Sequence, residues 1–412
     1  MVFACQANSF LREFDSKVLS CTEAQLKTLV NGKKETLNGY EVILEDTILF
    51  PEGGGQPCDH GFLDKAAVLQ VTRRGAQAVH FVDSPLTVGE MVHQTLDWER
   101  RQDHMQQHSG QHLISALGET LFNYPTTSWW LGEEVSYIEL DTTKLKQSEV
   151  DEWEKIANEK IRAAVPVSVK VYEEGDPTLD EAHTRGLPDD HVGPVRVINI
   201  DGIDSNMCCG THVTNLSQLQ AIKMLHFEKG KKNKTNLHFL VGGRVLKYLA
   251  NCLDREQKMT ALLKNGPSLH AELVDKLQKS LKVTNKNLQS VLKDLAVMEA
   301  SKLKSQVPLP SYFSLHRKEA DSDFMSIFIN EVGDQNILLF LTVGDEKGAG
   351  QMVLHGNPKV VCELGPKICE LLNGKGAGKG PKFQAKVNSM VNRSKAENLI
   401  KKYLESENSV EQ

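Results

Sequence analysis

Two short words, set a hundred residues apart, constrain this chain more than any other feature. The first, HMQQHSGQH at 104–112, spaces His104, His108 and His112 four residues apart. On a helix that spacing stacks the imidazoles along one stripe, and any neighbouring pair can grip a metal ion from one side. The second, NMCCGTHV at 206–213, puts Cys208 and His212 four apart, with Gly210 between them to ease a tight turn. A thiolate and imidazoles suit a tetrahedral zinc, and an enzyme site can add or substitute a water. A fold that uses both words must carry a helix and a distant turn to one point. Spacing alone leaves open which two of the three histidines take part.

The 412 residues, 40% of them hydrophobic, allow about two to four domains. The N-terminus, MVFACQANSFLREF, lacks a signal-peptide core, and no stretch approaches the roughly 18 apolar residues of a membrane span, so a cytosolic protein without a membrane partner is expected. The eight cysteines are sparse and irregular, which argues for thiols or metal ligands over a disulfide framework. A net charge of −6 leaves room for local basic patches only. Lys229, Lys231, Lys232 and Lys234 form one, and residues 374–402 hold Lys375, Lys379, Lys382, Lys386, Arg393, Lys395, Lys401 and Lys402 against the single acid Glu397. Such runs alone usually mark a solvated face.

Hydropathy patterning predicts an α+β multidomain protein. Residues 16–98 alternate short β-rich runs (YEVILEDTILF, AVLQVTRRGAQAVHFVD, MVHQTLDW) with turn signals, which predicts a small barrel with short hairpins over 1–99. From Arg101 to Leu121 the pattern is helical, with Leu113, Ile114, Leu117 and Leu121 as the apolar stripe. Strands at SYIELD, VSVKVYEE and VRVINID, with a helix at EVDEWEKIANEKIRAA, complete an α+β core over 100–243. Residues 244–305 read as a helical arm. From Val274 they carry heptads, with Val274, Leu281, Leu288 and Leu295 at a and Leu277, Thr284, Val291 and Met298 at d. That stripe is expected to pack on a helix near 244–264 or on a second subunit. Residues 306–412 read as a small α/β domain with strands at MSIFIN, NILLFLTVG and QMVLHG and helices at 364–373 and 394–405.

Four words, in order, resemble one family. RRQDHMQQHSGQHLISAL resembles the editing-domain helix of alanyl-tRNA synthetases and freestanding alanyl-tRNA editing proteins, whose motif is HxxxHLL. CCGTHV resembles CGGTHV, LFPEGGGQPCDHG at 49–61 resembles FYPEGGGQPxDxG, and LNGKGAGKGPKFQAKV at 372–387 resembles the Gly-rich C-terminal segment of long editors. The resemblance implies that His108, His112, Cys208 and His212 hold one zinc ion. His104 then falls outside the set, either as a hydrogen-bond donor behind the ligands or, the favoured expectation, at the surface. Cys209 stands where the family has glycine, which leaves open whether it assists the metal. The strand-rich part begins close to Met1, so no aminoacylation domain is expected, and the resemblance implies an editor acting in trans on tRNA(Ala) mischarged with serine, with glycine as a second candidate.

An alanine pocket rejects the isostere that adds a hydroxyl only about a hundredfold. A second site must therefore read that hydroxyl, and Thr126, Thr127 and Ser128 in YPTTSWWLGEE are candidates for it, with Thr127 favoured. Gly53, Gly54, Gly55 and Gln56 form a glycine-rich loop expected to approach substrate backbone or ribose. Lys375, Lys379, Lys382 and Lys386 are expected on or beside a Gly-rich loop contacting tRNA phosphates. Zinc either polarises water or positions the ester, and the catalytic residue stays unknown. No nucleophile dyad is recognisable, and Ser109 replaces the glutamate that a zincin needs. The alternative is a structural-zinc tRNA-binding or scaffold protein without hydrolytic activity. A homodimer through the arm or the C-terminal domain is a further expectation.

Overall fold

The computed structural model describes residues 2–30, 33–173, 176–177, 179, 194–333 and 336–410. The chain is an α+β protein with two compact units, Met1–Lys258 and Met259–Gln412.

In the first unit a helical turn, α1 (Ala4–Ala7), precedes β1 (Glu13–Val30), β2 (Lys33–Leu44), β3 (Gly61–Leu63), β4 (Ala66–Arg74), β5 (Gln77–Val82) and β6 (Met91–Leu96). These strands close into a barrel in the order β1-β2-β5-β4-β3-β6. Two-residue periodicity builds its wall: in β6, Val92, Gln94 and Leu96 are buried while Met91, His93 and Thr95 are exposed. The buried Gln94 is satisfied, its Oε1 accepting from Thr47 Oγ1 at 2.9 Å and from Ile48 N at 3.0 Å. The expectation of short hairpins fails for the first of them. β1 and β2 pair from Val18 opposite Leu44 to Val30 opposite Lys33. The far half of this hairpin is mostly exposed and polar, so ladder hydrogen bonds form it with little burial, and the alternating apolar signal is weak there.

The histidine helix, α2 (Trp98–Phe122), begins at Asp97, whose side chain accepts from Arg100 N at 3.1 Å. Arg101, one residue on, is fully buried and paired with the fully buried Asp59. Its Nη1 also donates to Ser9 O at 2.9 Å, and Asp59 Oδ2 accepts from Phe50 N at 2.7 Å. This ion pair locks the start of α2 to the segment following β2. Leu113, Ile114 and Leu117 enter the core, whereas Leu121, near the helix end, is exposed.

Then follow β7 (Thr126–Leu131), β8 (Ser136–Leu140), α3 (Gln147–Arg162), β9 (Val167–Tyr172), β10 (Val195–Ile200), β11 (Asp204–Met207), β12 (Ile222–Lys229), β13 (Thr235–Val241) and α4 (Gly243–Leu263). They give a three-stranded sheet, β11-β10-β9, and a four-stranded sheet, β12-β13-β8-β7. Ile138, Leu140, Leu237 and Phe239 of the larger sheet share one core with α2 and with Trp153, Ala157 and Ile161 of α3. Glu174, which ends the expected strand VSVKVYEE, lies outside the described residues.

The second unit contains α5 (His270–Lys304), β14 (Tyr312–Arg317), α6 (Ser322–Val332), β15 (Leu338–Gly344), β16 (Gly350–His355), α7 (Pro358–Leu371), β17 (Gly374–Lys379), β18 (Lys382–Val387) and α8 (Arg393–Val410). Its sheet runs β14-β15-β16-β18-β17. MSIFIN is helical and not a strand. Asp321 caps α6 by accepting from Phe324 N at 2.9 Å, and Phe324, Met325, Phe328, Ile329 and Val332 recur at helical spacing. The face that α5 buries is Leu292, Ala296, Ala300 and Leu303, packed with Phe324 and Phe328. Most of the heptad stripe lies elsewhere: Leu277, Leu281, Leu288, Val291 and Met298 are exposed. Small alanines allow close helix approach, a contact that a search for large apolar residues overlooks. The Gly-rich segment expected as a loop is the β17–β18 hairpin.

Removing one member of a buried ion pair strands the other charge, at a cost of about 3–5 kcal/mol. Asp59→Ala should therefore lower unfolding stability by about that amount in urea titrations. The double variant Asp59→Leu/Arg101→Met should recover much of the loss.

Candidate metal centre

α2 presents His108 and His112 one turn apart, with ring centroids separated by 5.1 Å. The segment after β11 delivers Cys208 and His212 to the same point, and the four ligand atoms all lie within 4.8 Å of one another. Cys208 Sγ is 3.5 Å from His108 Nε2 and 3.3 Å from His212 Nε2. A tetrahedral ion at ordinary metal–imidazole and metal–thiolate lengths would set these atoms about 3.6 Å apart. The donor set and its spacing thus fit one four-coordinate ion.

Neighbouring groups aim the imidazoles. Gln56 Oε1 accepts from Thr211 N at 3.0 Å, and Gln56 Nε2 donates to Thr211 Oγ1 at 2.7 Å. A backbone amide can only donate, so the oxygen of Gln56 is the atom 2.9 Å from His108 Nδ1. His108 Nδ1 therefore carries the proton and Nε2 is left for a metal. Ser109 Oγ, 3.0 Å from His212 Nδ1 and accepting from Val213 N at 3.2 Å, engages the outer nitrogen of His212 and leaves Nε2 facing Cys208. Arg196 of β10, buried behind the loop, donates through Nη1 to Cys208 O at 3.0 Å and to Gly210 O at 2.5 Å. Sequence reading missed Arg196, because only the fold brings β10 beside the CCGTH turn.

Gly210 is needed for close approach. A Cβ there would lie 2.4 Å from His108 Nδ1 and 2.9 Å from Gln56 Oε1. Burial pushes the Cys208 thiol up to about 12 and holds the His108 and His212 imidazoles well below their usual range. Desolvation thus favours the neutral thiol, and a bound cation would reverse that preference by stabilising the thiolate.

The other expected residues are placed as follows. Gly53 to Gln56 form a tight turn, with Gly53 N donating to Gln56 O at 3.1 Å and positive φ at Gly54 (60°) and Gly55 (77°). A Cβ on Gly55 would strike Trp129 Nε1 at 2.3 Å. Gln56 itself is buried behind His108, so within the expected substrate loop it is a metal-centre residue. Cys209 stands outside the four-ligand group, its Sγ beside Gly53 and Gly54. His104 corrects the expectation of a surface residue: it is 5% exposed, and burial lowers its pKa to about 4. Thr127 lies on the outer side of β7. Its hydroxyl donates to Glu139 Oε1 at 2.6 Å and accepts from Lys234 Nζ at 2.9 Å, on the sheet face opposite the core shared with α2. The neighbouring Thr126 instead donates to Ser115 Oγ of α2 at 2.8 Å.

In the second unit, Lys375 stands directly opposite Lys386, and Lys379 opposite Lys382, across β17 and β18. Phe383, Ala385 and Val387 fill the other face, so all four lysines share the outer one.

Cys208→Ala should abolish metal retention in the dialysed protein, measured by elemental analysis, while Cys209→Ala should retain it. Gln56→Leu frees the His108 tautomer and should weaken metal affinity by roughly 10- to 100-fold in chelator competition.

A family model described as "Threonyl and Alanyl tRNA synthetase second additional domain" matches residues 195–241, which include Cys208 and His212. The chain is 54% identical over 97% of its length to the alanyl-tRNA editing protein Aarsd1 of Danio rerio, covering 97% of that protein. It is 52% identical to that of Mus musculus over the full length of both chains. It is also 32% identical to the putative alanyl-tRNA editing protein alaX of Saccharomyces cerevisiae, across 94% of this chain and 93% of that one. Similarity of this extent, which spans the barrel, the four-ligand centre and the C-terminal unit, means that the chain belongs to the alanyl-tRNA editing protein family.

Proposed function

We propose that the chain is a zinc-dependent aminoacyl-tRNA hydrolase that acts in trans on seryl-tRNA(Ala), with glycyl-tRNA(Ala) as a second substrate. The observation that carries this reading is the convergence of His108, His112, Cys208 and His212, with both outer imidazole nitrogens of His108 and His212 engaged by neighbours. Three imidazoles and a thiolate are borderline-soft donors suited to zinc. The names carried by relatives along the whole chain supply the substrate class.

The reaction adds water to the carbonyl carbon of the ester and breaks its bond to the terminal ribose oxygen, which leaves with a proton. Serine departs as its carboxylate, and the second proton of the water passes to solvent. A zinc ion, when bound, supplies positive charge where the oxyanion develops. The chain's own residues do the rest of the positioning. Gln56 and Ser109 hold the His108 and His212 rings, and Arg196 clamps the carbonyls of Cys208 and Gly210. Gly54 and Gly55, exposed and without side chains, let backbone or ribose approach beside Trp129. Thr126, whose hydroxyl reaches Ser115 one turn beyond His112, replaces Thr127 as the serine-reading candidate.

The lysines of β17 and β18 hold the tRNA backbone. Like charges directly opposite across strands repel, and a phosphate between each pair removes the repulsion. The exposed α5 stripe of Leu277, Leu281 and Leu288 is where a second copy would pack. One observation favours a different reading: four protein ligands complete a tetrahedron and leave no open position, the arrangement of a structural zinc.

Deacylation separates the two readings. The purified protein should release serine from seryl-tRNA(Ala) and leave alanyl-tRNA(Ala) and seryl-tRNA(Ser) intact, whereas a structural zinc protein would bind and release nothing. Thr126→Val should slow release of serine more than release of glycine with metal content unchanged, while Thr127→Val should alter neither. Lys375→Ala/Lys386→Ala should reduce the slope of log binding constant against log salt by roughly 1 to 2 and leave kcat unchanged.

A further inference from the structure

The outer face of the sheet β12-β13-β8-β7 carries a row of rings, one per strand. Trp130 pairs directly with Tyr137, and Tyr137 pairs directly with His238. Directly paired residues share a face, and the ring centroids are 5.8 and 5.5 Å apart. The β-bulge between Met224 and Phe227 brings His226 into the row, its ring stacked on that of His238 at 4.5 Å and 17°. The alternate residues Ile138, Leu237 and Phe239 point into the core, so the row faces outward. Trp130 is 57% exposed and His226 is exposed. An outer sheet face ordinarily carries polar side chains, and no packing requirement accounts for a continuous strip of rings there.

Charge along the strip is polarised. Glu133 and Glu134 lie in the turn after β7. At the other side, the turn joining β12 to β13 exposes Lys231 and Lys232, with Lys229 just before it. Lys229 pairs directly with the buried Thr235 and so belongs to the other face, which leaves Lys231 and Lys232 of the turn as the cations beside the row. The two carboxylates on the face are paired: Glu139 with Lys234 Nζ at 2.8 Å, and Glu228 with His238 Nε2 at 3.3 Å.

We propose that this strip is a stacking platform for unpaired bases of the tRNA, with Lys231 and Lys232 taking the flanking phosphates. Planar side chains on a sheet surface accept bases of any identity, and an adjacent basic edge follows the backbone. The platform rests on the reading of the chain as an enzyme acting on tRNA, but it concerns binding and not hydrolysis. It lies on the sheet face opposite the core that α2 shares, so it grips nucleotides outside those that reach the metal centre.

Uncharged tRNA(Ala), titrated into the full-length protein, tests the platform without requiring catalysis. Trp130→Ala should weaken binding by roughly 5- to 100-fold. Deacylation by the same variant should show a raised KM, with kcat and metal content preserved. Trp130→Phe keeps a ring and should restore most of the affinity, and Lys231→Ala/Lys232→Ala should flatten the salt dependence. A wild type that binds uncharged tRNA but does not deacylate would overturn the proposed reaction and leave the platform to the Trp130 comparison. Wild-type affinity in Trp130→Ala, or phenylalanine serving no better than alanine, overturns the platform.

Discussion

The buried pair of Arg101 and Asp59 holds the rest of the first unit in register. Both side chains are fully buried, and Arg101 is three residues before His104 on the helix that carries the ligands. Asp59 belongs to the segment that also contains the Gly53–Gln56 turn. The ion pair therefore fixes the start of α2 against the residues that supply Gln56, and Gln56 in turn sets the tautomer of His108. An uncompensated charge in this place would be too costly to keep, so the two segments cannot slide past one another.

The four-residue cluster of His108, His112, Cys208 and His212 is accordingly assembled from three directions. α2 supplies two imidazoles and Ser109, the segment after the barrel hairpin supplies Gln56, and the loop after β11 supplies Cys208 and His212 under the clamp of Arg196. Gly210 permits the last of these approaches, because any side chain there would occupy the volume of the His108 ring. A motif of the form CCGTH is thus a steric statement as well as a ligand pair. Its glycine is required by a histidine a hundred residues earlier.

Two surfaces carry features that their own folding does not demand. On β17 and β18, lysines oppose lysines, an arrangement that costs stability until an anion lies between them. On β12, β13, β8 and β7, rings line up across strands and face solvent. Each needs backbone pairing to exist, since the side chains involved are far apart in sequence or become neighbours only through register.

The sequence by itself determined the local elements with strong periodicity and the identity of the ligand-bearing words. The four-residue spacing of His108 and His112 is a property of any helix, and β6 shows the alternation of a half-buried strand. Cysteine and histidine are rare enough for the two words to stand out, but their spacing left three histidines open, and only the resemblance to the HxxxHLL motif picked out His108 and His112. What depends on partners distant in sequence was decided by tertiary structure alone. MSIFIN is apolar enough for a strand, but the Asp321 cap and the packing of Phe324 and Phe328 on α5 make it a helix. His104 shares the stripe of the ligands and is buried without belonging to them. Thr126 and Thr127 are adjacent and chemically alike, and only the pairing of β7 with β8 turns one toward α2 and the other toward Glu139. Side-chain direction at a strand bulge is a property of register, which no single residue encodes.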